Sequence, residues 1–417
     1  MLGQLFRRIY IRPPEPIPSE HRRLLLLVGA AMFIAAYDVN IYGMASRQIQ
    51  ASFAIPEGDI GRVIVVFRLG MIPALFLAYL ADVIGRRSLL MLTLAGASVA
   101  TIWTAFAQTL PEFLAAQTLA RVCIYTEEML CVVVIAEEFS ERTRGWAIGQ
   151  LGALGALGAG GAALMFGFVS LLPFGWRAIY FIGAIPLLWL LWARRSLPET
   201  KRFQERAAHG GKTNPLLSLI RNYPGRLALV VGVAATYAFA MASTVTLFSA
   251  FLQKTHGWLP WQVTVLTLGA GFVAILGNTV AGTLSDQYGR KTVLATCAIV
   301  SAAGYALFFG WAEGWWLVLL WTVSLFTFMA TDILIASLGA ELFPTSHRTF
   351  AASIRFFASL TGGSIGLLVE AEVFRLTGSH GQAIATMTLA APLCLIPIWF
   401  LPEPAKKTLE EIAAERT

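Results

Sequence analysis

Charged side chains are scarce in this chain. Asp, Glu, Lys and Arg together make up 13% of its 417 residues, against 57% hydrophobic. A soluble domain carries about 25% charge, so a protein bathed only in water is excluded. The mean hydropathy of +0.68 points the same way: lipid is part of the solvent. Cysteine is equally sparse, with four in all. Cys123 and Cys131 lie about 12 Å apart by helical rise, too far for a bridge, so no disulfide framework is expected. The five histidines sit at or beyond the ends of apolar runs, which argues against a buried metal centre. No cofactor is expected either, and no nucleophile–base pair falls within the runs, so an enzyme is not expected. Residues 1–20 contain four prolines and no apolar core, unlike a cleavable signal.

What the chain does have is apolar runs of about 20 residues, the length of a membrane span. Twelve are expected, near 24–46, 59–80, 88–107, 111–134, 145–169, 176–195, 226–251, 262–284, 292–311, 315–338, 350–371 and 381–400. With the N-terminus inside, Arg47, Arg62, Arg177, Lys254 and Arg375 fall outside and Arg68, Arg121 and Arg355 within spans. The other 23 of the 31 Lys and Arg are then cytoplasmic. Such asymmetry follows the positive-inside rule. Both termini are expected in the cytoplasm and the chain in the plasma membrane, a prokaryotic inner membrane. The net charge of +7 then reflects topology and anionic lipid rather than nucleic acid.

One motif occurs twice. Ala78-Tyr79-Leu80-Ala81-Asp82-Val83-Ile84-Gly85-Arg86-Arg87 is matched by Gly282-Thr283-Leu284-Ser285-Asp286-Gln287-Tyr288-Gly289-Arg290-Lys291. The same offset of 204 residues relates Glu137 and Arg144 to Glu341 and Arg348, and Pro198-Glu199 to Pro402-Glu403. Three landmarks with one spacing mean a duplicated unit, both copies entering the bilayer in the same direction, as in parallel-repeat transporters.

These motifs resemble those of the major facilitator superfamily, over about residues 22–412. Trp176-Arg177, Pro198-Glu199-Thr200 and Leu409-Glu410-Glu411-Ile412 are similar to its sugar-porter and metabolite:proton symporter branches. The resemblance implies an all-α polytopic membrane protein with twelve transmembrane helices in two pseudo-symmetric six-helix bundles. The expected order is a cytoplasmic segment 1–23, a bundle 24–195, a basic linker 196–225, a second bundle 226–400 and a tail 401–417. The resemblance also implies a latch formed by Asp82, Gly85 and Arg86 with Glu137 and Arg144. Asp286, Gly289, Arg290, Glu341 and Arg348 are its second-half counterparts. Ala78 and Val83 depart from the usual Gly and Arg, so the first-half latch is expected to be weaker.

Ionisable groups inside spans cost roughly 2.5–3.5 kcal/mol each on insertion scales and mark cavities or partners. Asp38 and Arg121 fall within about 6 Å in depth and are expected to pair. Tyr42, Tyr125 and Arg68 are candidates to line the site with them. Helical phase puts Arg121, Tyr125 and Glu128 on one face and Glu127 about 120° away. Alignment with the metabolite symporters favours Glu127 instead, and both remain open. Glu128 has a second-half counterpart in Asp332, so two acids at matched positions are candidates for proton coupling. Arg355, seven residues past Arg348, is expected to snorkel to the cytoplasmic surface.

The glycine-rich run 151–161 has no strand, Lys or Ser/Thr after it and is not a phosphate loop. Gly152, Ala156 and Gly160 offer a small face for close helix contact. Ala156-Leu157 stand where the antiporters of the family carry Gly-Pro. The expectation is a monomeric secondary active transporter moving a small polar organic metabolite, with an organic anion favoured, by alternating access and proton symport. A drug or cation efflux antiporter is the alternative, and a non-transporting membrane sensor a third reading.

Overall fold

The computed structural model describes residues 13, 15–196, 215–344 and 348–403. Among these, every regular element is helical. The helices are α1 Ser19–Ser52, α2 Ile60–Arg68, α3 Met71–Ile84, α4 Arg86–Phe106, α5 Leu110–Glu138, α6 Glu141–Gly167, α7 Trp176–Ala193, α8 Pro215–Asn222, α9 Pro224–Thr255, α10 Pro260–Tyr288, α11 Arg290–Gly310, α12 Trp315–Glu341, α13 Arg348–Thr377, α14 His380–Thr388 and α15 Leu395–Phe400. Eleven spans meet the length and apolarity of a membrane crossing. The twelfth expected crossing is α5, whose 29 residues are long enough. Arg121, Glu127 and Glu128 make it too charged to qualify on composition.

The sequence explains where helices stop. Gly85 separates α3 from α4 with φ 98° and ψ 148°, and Gly289 separates α10 from α11 with φ 99° and ψ 142°. Residues with a Cβ rarely adopt this backbone, so the duplicated motif carries one bend twice. At the start of α5 the Thr109 hydroxyl accepts from the Glu112 N–H (3.4 Å), and the Glu112 carboxylate accepts from the Thr109 N–H (3.2 Å). That capping box satisfies two otherwise orphaned donors.

The described residues fall into two compact units, Met1–Tyr42 with Leu69–Gly211, and Gly43–Arg68 with Lys212–Thr417. In the first, α4 packs on α5 and α7 around Leu89, Leu94, Val134, Ile135 and Leu190. The glycine-rich helix α6 meets α1 through Gly158 and Gly161, not through the expected Gly152 face, which has open space beside it. A side chain at 158 would overlap the Phe33 backbone. Both registers have helical spacing, and only the position of α1 selects between them.

The second unit repeats the device. Side chains at Gly362 and Gly366 of α13 would overlap the Ala235 and Phe239 backbone of α9, and Gly362 is the 204-residue counterpart of Gly158. The core of this unit is aromatic. Phe248 stacks on Trp321 with centroids 4.3 Å apart, and Tyr305, Phe308 and Phe309 surround them. The short helix α2 also lies in this unit, against α13, where Arg62 pairs with Glu372 (2.6 Å) and Arg375 with Asp59 (3.3 Å). These side chains are 39–55% exposed.

Candidate functional site

Inside the first unit two carboxylates are buried, each with one arginine and one threonine. Asp38 of α1 is 1% exposed. Its Oδ1 accepts from Arg121 Nη1 of α5 at 3.3 Å, and its Oδ2 accepts from the Thr101 hydroxyl of α4 at 2.9 Å. Arg121 also donates from Nη2 to Gln117 Oε1 at 3.2 Å, and Gln117 in turn donates to Thr104 at 3.1 Å. Gly70 makes this possible, because a Cβ there would lie 2.7 Å from the Thr118 carbonyl and 3.1 Å from Arg121 Cβ. An ion pair sealed from water survives only when the remaining lone pairs and donors are also satisfied. Thr101 and Gln117 do that here.

The second cluster lies six residues further along α5. Glu127 is 3% exposed. Its Oε1 accepts from Arg194 Nη1, and its Oε2 accepts from the Thr93 hydroxyl at 2.7 Å. Arg194 begins the 3-10 turn that follows α7 and also donates to the Leu27 carbonyl at 3.1 and 3.3 Å. Arg194 falls at the end of the expected first bundle, 24–195, beside the basic linker, and the fold turns it inward and buries it fully.

Glu128 is half-buried, makes no hydrogen bond or ion pair to a described residue, and has Arg121 as the charged group that acts on it. Tyr125 is buried on α5, and Tyr42 is buried with its ring 6.2 Å from Phe113. In the second unit, Arg68 reaches the Thr246 hydroxyl at 3.5 Å. Asp332 is 64% exposed and lies 3.9 Å from Arg355. Arg355 is thus held by Asp332 as it packs against α12. Sequence reasoning also missed Glu370 of α13, fully buried with its carboxylate 2.9 Å from His380 Nδ1. A deep acid paired with a histidine ten residues later was its only signal.

Among the expected latch residues, the arginine of each motif pairs with the glutamate 51 residues further on. Arg86 binds Glu137 through Nε (3.2 Å) and Nη2 (3.1 Å). Its second-half counterpart Arg290 binds Glu341 through Nε (3.3 Å) and Nη2 (3.0 Å), and also Asp286 at 2.8 Å. The Nε of Arg144 has no hydrogen-bond partner among the described residues. The side chains of Asp82 and Arg348 lie outside the described set.

The family model of the Major Facilitator Superfamily matches residues 28–277 and 233–416, almost the whole chain. The chain belongs to the Major Facilitator Superfamily. It is therefore a secondary transporter that works by alternating access, and not an enzyme. Among curated members, the niacin transporter of Acinetobacter baylyi is 25% identical over 95% of this chain and 97% of its own. The citrate-proton symporter of Salmonella typhi is 24% identical over 89% and 91%, and the cis,cis-muconate transport protein of Acinetobacter baylyi 23% over 91% and 92%. A solved D-xylose-proton symporter superposes with TM-score 0.76 at 18% identity, covering 94% of this chain and all of that one. At such identity the structural match speaks for the superfamily fold alone.

Proposed function

We propose that this superfamily member is a proton symporter of a small organic carboxylate, with Asp38 and Arg121 as its coupling pair. The observation that carries the reading is the buried pair itself. Its aspartate and guanidinium are both 2% exposed, 3.3 Å apart, in a segment expected to lie mid-bilayer. A charge so placed is expensive and marks function. Protonating Asp38 removes Arg121's counter-ion and leaves a planar guanidinium ready to take a substrate carboxylate in bidentate fashion. Losing the proton returns Arg121 to Asp38 and releases the substrate. The relatives named above transport niacin, citrate and muconate, all carboxylates, which favours the anion over a sugar. Arg86–Glu137 and Arg290–Glu341 serve as the cytoplasmic latch, both termini lie in the cytoplasm, and the monomer in the plasma membrane is the working unit.

The test uses purified protein in liposomes with labelled nicotinate, citrate and cis,cis-muconate and an imposed inward proton gradient. Accumulation of at least one, abolished by a protonophore, is expected. Asp38→Asn should lose accumulation and keep counterflow. Undiminished gradient-driven accumulation by Asp38→Asn would refute the assignment.

A further inference from the structure

Between the two carboxylate clusters the first unit contains a small cavity of about 10 Å3, lined by both Asp38 and Glu127. That is about the room needed for one water, provided polar partners are present. The rest of the wall is aliphatic, from Ala35, Leu94, Ala97 and Ile124 among others, so the two acids supply its polar groups. Both acids line this one cavity, so a water in it is placed to reach each of them. The site is thus built twice on one helix, with Thr101 and Thr93 of α4 two turns apart on a common face, each serving one acid.

We propose that Glu127, Thr93 and Arg194 form a second proton-binding site. It is filled from Asp38 through this cavity, so that protons cross this part of the bundle inside the first unit. Thr93 is suited to the task because its Oγ1 lies 2.7 Å from Glu127 Oε2 and 2.9 Å from the Leu89 carbonyl. When Glu127 is ionised, the hydroxyl donates to it. When Glu127 is protonated, the acid donates to Oγ1 and the hydroxyl proton turns to Leu89. The transfer is balanced: Asp38 gives its proton to the water as the water gives one to Glu127. Asp38 ends as a carboxylate held by Arg121 and Thr101, and Glu127 ends as the neutral acid beside Arg194. The titratable groups around Glu127 are Arg194 from the turn after α7 and Cys123 and Cys131 of α5. Around Asp38 they are Arg121, with Tyr37 of α1 and Tyr180 of α7.

This inference rests on the reading that Asp38 carries the coupled proton, and the experiment separates the two. The ligand is the proton, so no organic substrate is needed. Infrared difference spectra of the full-length, reconstituted protein after a pH jump report protonation of buried carboxyls. The wild type should show two bands, with Asp38→Asn removing its own and delaying that of Glu127, and Glu127→Gln removing only the second. Ala97→Leu fills the cavity without touching either acid. It should keep both bands while delaying the Glu127 band at least tenfold relative to the Asp38 band. If Asp38→Asn removes no band, the coupling assignment fails. If Asp38→Asn removes its band but Glu127→Gln changes nothing, the second site fails alone. If both bands are assigned as expected but Ala97→Leu does not alter their timing, the route through the cavity fails. Thermal melts of each variant identify a folding defect, and Glu127→Asp, which keeps a carboxyl, should restore the lost band.

Discussion

The two halves of this duplicated chain have kept their ends alike and let their interiors diverge. At the ends, Arg86–Glu137 and Arg290–Glu341 repeat with matching atoms and distances, and Gly85 and Gly289 repeat within a few degrees. In the interior, Asp38, Arg121, Glu127 and Arg194 correspond at the 204-residue offset to Ala242, Leu325, Thr331 and Ile398. Four buried ionic side chains in one half correspond to neutral residues in the other, whose core is built around Trp321 and its aromatic neighbours. Sequence symmetry thus follows the parts both halves must share, the bends and latches.

The comparison can be broken at several points. Arg121→Ala leaves Asp38 buried and uncompensated and should cost about 3–5 kcal/mol, measured as a fall in melting temperature in detergent. The aromatic half should be matched in stability but not in coupling. Trp321→Ala should also cost about 3–5 kcal/mol, while gradient-driven uptake at low temperature retains its proton dependence. Asp38→Asn should lower proton-driven accumulation about 100-fold, whereas Ala242→Ser at the matched position leaves it unchanged.

Smaller effects probe the symmetric parts. Gly158→Ala and Gly362→Ala should each destabilise by about 1–3 kcal/mol from overpacking. A large inequality between them would show that the two helix contacts are not equivalent. Arg86 is 3% exposed and Arg290 17%, so Arg86→Ala should slow transport and destabilise more than Arg290→Ala. At the exposed contact in the second unit, Arg62→Ala should cost under about 1 kcal/mol and weaken further with salt.

Much of this arrangement was legible beforehand. Repeated motifs located the bends, and depth alone placed Asp38 level with Arg121. What escaped was whatever depended on a partner from another helix. Helical phase put Glu128 on Arg121's face, and Arg121 does act on it, though without a hydrogen bond. Glu127 found Arg194 and Thr93 on a face that phase alone treated as secondary. Nothing in the sequence separated Arg194 from Arg195, which is exposed, because one residue of turn divides solvent from core. Gly152 and Gly158 have equally good spacing, and only the course of α1 chooses.

The matched bends at Gly85 and Gly289 carry a practical consequence. Because Gly85 and Gly289 turn the chain through dihedral angles within a few degrees of each other, residues 81–87 and 285–291 are natural modules to exchange. A chimera exchanging them would alter latch side chains while leaving helix directions intact, isolating gating chemistry from architecture in a single swap.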